Sequence, residues 1–232
     1  MSLFVLVHGA YHGGWCWSRL MPELERLGHE AIAPDLPCDN PGAGYDEYVA
    51  AVLDAMDEAG AGSDVVAVGH SLGGFTIPLV AQRRPLRRLV FLCTAPVIGG
   101  PRADELRARM VTPRFGAMVR FRDEHGRAVM SAADAWDGFY GDCDDATAAW
   151  SIARLRPQGA RPMLDPWPIT SWPDAARSVI LTRDDGAVSL DAARQAGRLI
   201  LDGAEPILMD GSHSPFLSRP AELARLLHNT NV

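Results

Sequence analysis

Ser71, His213 and the adjacent aspartates Asp184 and Asp185 are the residues in this chain that together can run nucleophilic catalysis. A serine hydroxyl attacks poorly until a base takes its proton, and an imidazole base needs a carboxylate to fix its tautomer and orientation. Ser71 sits at the centre of Gly69-His70-Ser71-Leu72-Gly73, a G-x-S-x-G pattern. The pattern suits a sharp, strained turn from a strand into a helix. The serine side chain projects out of such a turn, and the positions two residues either side must be nearly free of side chain. The N-terminus of the following helix also favours negative charge developing at Ser71. The pattern alone is common, so its surroundings carry the weight.

Those surroundings fit. The apolar run "DVVAVGH" (64–70) precedes the serine and the helical run "LGGFTIPLVAQRR" (72–84) follows it. "MDGSHSPFLSRPAELARLL" puts His213 between the last strand and the last helix, and "SVILTRDDGAV" puts the two aspartates at the end of the preceding strand. A tetrahedral oxyanion needs two backbone N–H groups aimed at one point. The amide of Leu72, just after the serine, is the first candidate. The second is Ala10, in the small-residue loop "HGAYHGGW" (8–15). His8 and His12 are spaced i, i+4, but they lie on a strand-to-loop stretch with no third ligand in view, so no metal site is expected.

The elements that must position these residues alternate along the chain. "LFVLVH" (3–8), "EAIAPDL" (30–36), "DVVAVGH", "RRLVFLCT" (87–94), "SVILT" (178–182) and "PILMDG" (206–211) read as strands, most of them continuously apolar as in a parallel sheet covered on both faces. Helical patterns lie at about 15–27, 45–60, 72–84, 188–198 and 219–229. The order predicts a doubly wound α/β fold with a mostly parallel six-stranded sheet and function at the carboxyl ends of its strands. Residues 97–173 break the rhythm with clustered charges, four tryptophans and "RPMLDPWPITSWP". They are expected to form an inserted cap or lid on a core of residues 1–96 and 174–232.

Composition narrows the functions. The 232 residues carry 47% hydrophobic side chains and a formal charge of −7, which supports one globular core and disfavours nucleic acid and anionic membrane surfaces as partners. Neither a secretory signal nor a membrane span is legible, which points to a cytoplasmic protein. Cys16, Cys38, Cys93 and Cys143 show no C-x-x-C spacing and are expected as free thiols.

"FVLVHGAYHGGWCW", "GHSLGG", a D-x-x-V turn and "HSPFLSRPAEL" together resemble the α/β-hydrolase superfamily, and within it the branch of plant methylesterases and hydroxynitrile lyases with their bacterial relatives. The resemblance covers residues 3–95 and 175–230. It implies a six-stranded core with a cap, no cofactor, and a triad of Ser71, His213 and an aspartate, with Ala10 and Leu72 as oxyanion donors. In that family an Ile or Val stands three residues after the acid. Val188 holds that place relative to Asp185, so Asp185 is favoured and Asp184 is the alternative. Lyase members carry a Thr at the oxyanion-loop position and a Lys directly after the histidine, where this chain has Ala10 and Ser214. Hydrolysis of a small, moderately apolar ester through an acyl-enzyme is therefore expected ahead of cyanohydrin cleavage or a non-catalytic binding role. Tyr11, Trp136, Phe139, Tyr140, Trp150 and Phe216 are candidates to line an apolar substrate pocket. Arg107, Arg109, Arg114, Arg120 and Arg122 are cap cations that either bind a substrate carboxylate or form a solvated face. The small ester is the expected partner, and the chain is expected as a monomer or homodimer.

Overall fold

The apolar runs assemble into one sheet in a computed structural model that describes residues 1–118 and 121–231. Its strands are β1 (Leu3–Val7), β2 (Glu30–Ile32), β3 (Val65–His70) and β4 (Arg88–Leu92), followed after a separate antiparallel ribbon, β5 (Phe121–Arg122) and β6 (Ala128–Val129), by β7 (Ala176–Thr182) and β8 (Ile207–Met209). The sheet order is β2-β1-β3-β4-β7-β8, and every neighbouring pair is parallel. The expected strand at 30–36 stops at Ile32, because Pro34 has no N–H to give a ladder.

Alternation along each strand feeds two apolar layers. Val5 and Val7 of β1 face one layer, with Val49, Val52, Met56, Ile77 and Val80 from the helices that cover it. Phe4 and Leu6 face the other, with Trp17, Leu24, Phe216, Leu223 and Leu227. The covering helices follow from their apolar periodicity: α1 (Met21–Arg26), α2 (Tyr45–Glu58), α3 (Gly73–Arg83) and, after β7, α9 (Leu190–Ile200), α10 (Pro215–Ser218) and α11 (Pro220–Asn231). The helix expected over 15–27 is divided into a 3₁₀ turn at Gly14–Trp17 and α1, which starts with Pro22 in its first turn, where a missing N–H costs nothing.

Between β4 and β7 the chain leaves the sheet and forms α4 (Pro101–Met110), α5 (Pro113–Met118), the β5–β6 ribbon, α6 (Ala132–Phe139), α7 (Asp145–Ile152) and α8 (Arg161–Leu164). Ser131 and Asp144 cap α6 and α7 by accepting from Asp134 N–H and Thr147 N–H. This segment is sewn to the sheet's carboxyl edge at two places. Ser189 N–H donates to Met110 O at 2.7 Å and Thr112 N–H to Ala187 O at 2.9 Å. On the other side, Arg156 N–H donates to Tyr11 O at 2.7 Å. Arg120 lies outside the described residues. Cys16, Cys38, Cys93 and Cys143 are all free. Among the described residues no helix is long and apolar enough to cross a membrane.

Candidate active site

Ser71 occupies the link between β3 and α3 with φ of +50°, in the left-handed region that a side chain enters at a cost of about 1–2 kcal/mol. The surrounding backbone forces it there. A Cβ on Gly69 would meet Gly73 O at 2.7 Å, and one on Gly73 would meet Val7 O at 2.5 Å and His8 O at 2.6 Å. Only glycine fits at either position. Ser71 N–H donates to Leu92 O at 3.0 Å, which fixes the turn against the neighbouring strand. The Ser71 hydroxyl has no hydrogen-bond partner among the described residues and borders a cavity of about 570 Å³.

His213 borders the same cavity from the loop after β8. Its Nδ1 donates to both oxygens of Asp185, at 2.9 and 2.8 Å, which leaves Nε2 as the nitrogen free to take a proton. Both side chains are withdrawn from solvent, His213 at 1% exposure and Asp185 at 3%. The Asp185 carboxylate also accepts from Ala187 N–H at 2.9 Å and Val188 N–H at 2.8 Å, so the turn after β7 holds it aimed at the imidazole. Asp184 is exposed, and its backbone N–H is spent on Gly211 O. Of the two aspartates, the structure brings Asp185 to the imidazole.

The two oxyanion candidates flank the serine. Among the described residues, neither the Ala10 nor the Leu72 N–H has an internal acceptor. Tyr11, next to Ala10, has φ of +67°. Strain of this kind persists only where the surroundings over-determine it. Here Tyr11 N–H donates to Gln158 Oε1 at 3.2 Å and Tyr11 O accepts from Arg156. His12 Nδ1 donates to Ala10 O at 2.7 Å, and its Nε2 accepts from Tyr140 Oη at 2.9 Å. His8 uses Nδ1 on Gly9 O at 2.8 Å and accepts the Leu36 N–H on Nε2 at 2.9 Å. Burial lowers both imidazoles, His8 to about 4 and His12 to about 3, so each stays neutral and serves the loop.

His70, the variable residue of the serine motif, is fully buried, and burial drives its pKa well below the ordinary value. Its Nε2 donates to the His213 carbonyl at 2.8 Å, tying the loop of the base to the strand of the serine. His70, Cys93 and His213 bring their ligating atoms within 4.8 Å of one another. Both imidazoles are nevertheless already engaged. The Cys93 sulfur rests 3.5 Å from Thr182 Oγ1, and burial pushes its thiol well above the ordinary range.

The cavity walls correct part of the substrate-pocket expectation. Tyr11 and Phe139 line it, with Phe75, Met110, Phe115 and Trp167, which the sequence did not single out. Trp136, Trp150 and Phe216 do not. Phe216 packs behind His70 and against Trp17, with ring centroids 4.8 and 4.6 Å apart. Trp150 lies on the outer surface against Trp15 and under Arg154. Trp136 packs in the apolar layer behind the wall. Tyr140 is buried on His12 instead of facing the cavity. Of the arginines, Arg107 lines the cavity, bonded to Val97 O and paired with Asp104. Arg109 pairs with Glu105 and Asp191, Arg114 pairs with Asp137, and Arg122 reaches Gly126 O.

A doubly wound parallel sheet with a strained serine turn at β3, an acid after β7 and a histidine after β8 defines the α/β-hydrolase class. The chain belongs to the alpha/beta hydrolase family, whose model matches residues 4–226. It is 27% identical over 248 residues to putative methylesterase 12, chloroplastic, of Arabidopsis thaliana, a match covering 97% of this chain and 70% of that protein. Salicylic acid-binding protein 2 of Nicotiana tabacum is 40% identical over 93 residues, 35% of this chain and 34% of its own. Among solved structures, polyneuridine aldehyde esterase superposes with a TM-score of 0.81 at 18% identity over 100% of both chains. A pyrethroid hydrolase superposes with a TM-score of 0.78 at 22% identity, covering 99% of this chain and 96% of that one.

Proposed function

We propose that the protein is a serine esterase that cleaves an uncharged, moderately apolar carboxylic ester through an acyl-enzyme. The observation that carries this reading is the pairing of His213 Nδ1 with Asp185, in a cavity shared with a strained Ser71 whose hydroxyl has no partner among the described residues. In the proposed sequence His213 Nε2 takes the Ser71 proton as the oxygen attacks the ester carbonyl. The Ala10 and Leu72 N–H groups hold the oxyanion, and the imidazolium, steadied by Asp185, returns the proton to the departing alcohol. Water then attacks the acyl-enzyme by the same steps.

The character of the relatives supports this chemistry, since they include a putative methylesterase, a methylesterase and a pyrethroid hydrolase. A cavity of about 570 Å³ walled by Phe75, Phe115, Phe139 and Trp167 suits an apolar acyl or alkyl group. The residue directly after His213 is Ser214, so a departing cyanide would find no cation beside the base. Residues 97–173 act in this reading as a lid that keeps water from the apolar wall. The free buried thiols suit a cytoplasmic setting.

A panel of acyl and alkyl esters, together with labelling by an active-site-directed phosphonate and mass spectrometry, tests the proposal. Ester hydrolysis and a single adduct on Ser71 are expected. Cyanide release from mandelonitrile without any ester hydrolysis would overturn it.

A further inference from the structure

The oxyanion loop is held from a distance. Ala10, Tyr11 and His12 of the loop at residues 9–12 border the cavity, and the main chain of this loop is held partly from within and partly from elsewhere. Gly9 O and Ala10 O are held by His8 and His12, which belong to the loop itself. Tyr11 N–H and Tyr11 O are held by Gln158 and Arg156, and His12 is held by Tyr140. These last three residues lie in the segment between β4 and β7, 128 to 147 positions along the chain from their partners in the loop.

Gln158 is itself fixed and fully buried. Its Nε2 donates to Tyr48 Oη at 3.0 Å and to Gly159 O at 2.9 Å, and its backbone exchanges two hydrogen bonds of 2.8 Å with Ala128 of the β5–β6 ribbon. Its carboxamide oxygen can therefore point only one way, at Tyr11 N–H. The Tyr11 N–H belongs to the peptide that joins Tyr11 to Ala10, so Gln158 fixes the residue next to Ala10, whose own N–H has no acceptor among the described residues and which borders the same cavity as Ser71. Without an acceptor for Tyr11 N–H, that buried amide would be unsatisfied and the turn would relax toward an ordinary conformation.

We propose that Gln158, seconded by Tyr140 through His12, is a positioning residue for the Ala10 oxyanion donor, so that the oxyanion hole is completed by the segment that covers the cavity. The inference rests on the esterase reading above. It predicts a specific kinetic signature, because a donor aimed at the oxyanion stabilises the transition state and contributes little to binding the ground-state ester.

The test is Gln158→Leu, which keeps the volume and removes the acceptor, with Tyr140→Phe as the second variant. Each is assayed on the best ester of the panel and titrated with a trifluoromethyl ketone analogue that forms an oxyanion on Ser71. Gln158→Leu should lower kcat by about 10- to 100-fold with KM within about twofold, less than the loss on removing a donor outright. Affinity for the ketone should fall by a similar factor. Tyr140→Phe should lower kcat by about 3- to 10-fold, with the same parallel loss. If circular dichroism shows that the Gln158 variant fails to fold, Tyr140→Phe decides alone. Unchanged kcat, or a lower kcat with undiminished ketone affinity, overturns the positioning role. Wild-type protein inactive on every ester removes the esterase reading instead.

Discussion

The two halves of the proposed oxyanion hole are built in opposite ways. The Leu72 amide belongs to the serine turn, which is shaped within a few residues by Gly69, Gly73 and the strands beside it. The Ala10 amide belongs to a loop whose shape depends on Gln158, Arg156 and Tyr140. One donor is enforced by exclusion, since no larger side chain fits. The other is enforced by satisfaction, since buried polar groups must find partners. Exclusion is rigid and local. Satisfaction can be undone one hydrogen bond at a time, from far away.

The largest effect expected comes from removing the nucleophile whose attack creates the oxyanion that both halves would hold. Ser71→Ala should lower kcat by roughly 10⁴ or more, with an unchanged circular dichroism spectrum. A variant retaining a tenth of the rate would mean that neither amide serves an oxyanion formed by attack of Ser71. Asp185→Asn should cost about 10³ in kcat, because an amide neither stabilises the imidazolium nor enforces the Nδ1–H tautomer. Breaking the excluded half directly, Gly73→Ala drives a Cβ against Val7 O and His8 O, which belong to backbone and cannot swing aside. A Tm lower by roughly 5 °C together with lost turnover is expected, and calorimetry that found no change would show the turn to be softer than its contacts imply.

Acid sharpens the comparison, because two buried neutral imidazoles stand in the satisfied half. His8 and His12 have folded pKa values of about 4 and about 3, below the ordinary 6.5, since burial penalises their charged form. The unfolded chain takes up those protons first. Their contribution to stability is complete above pH 6.5 and is lost as pH falls toward 4, by ~2 kcal/mol for each imidazole at pH 5. Calorimetry at pH 7, 6 and 5 should therefore show a falling Tm, and His12→Asn should fall less steeply. An equal slope would show that the loop does not exclude the proton. The smallest effect is expected at Asp184→Asn, within about twofold in kcat, because that side chain is exposed and the carboxylate at His213 is Asp185. Loss of activity there with Asp185→Asn silent would reverse the two roles.

The same contrast governs what the sequence could tell. The serine turn is legible because its cause is contiguous: two glycines, a strand and a helix within "DVVAVGHSLGGF". The six parallel strands are legible because burial on both faces writes itself as unbroken apolar runs. Choosing Asp185 over Asp184 needed the resemblance, since two adjacent acids look alike until one faces the imidazole. Gln158 carries no signal. A glutamine in "RLRPQGARP" looks like surface, and its burial arises only when the β5–β6 ribbon and α2 close around it. The aromatic residues misled for a related reason: Trp136, Trp150 and Phe216 differ from Phe115 and Phe139 in where they point, not in chemical type. Four of the five helices of the intervening segment have eight residues or fewer, too few for the periodicity that marks α2, and the longest, α4, carries five charged side chains in ten.

That a glutamine 147 positions away holds Tyr11 has a bearing on how such proteins diversify. The stretch between β4 and β7 looks like a module that could be exchanged between relatives to alter selectivity, the sheet being left intact. A chimera carrying a foreign stretch without equivalents of Tyr140 and Gln158 should fold and bind ligands yet turn over slowly, because the graft would discard part of the machinery it was meant to decorate. Successful transplants, in the laboratory or in descent, must carry those anchors with them.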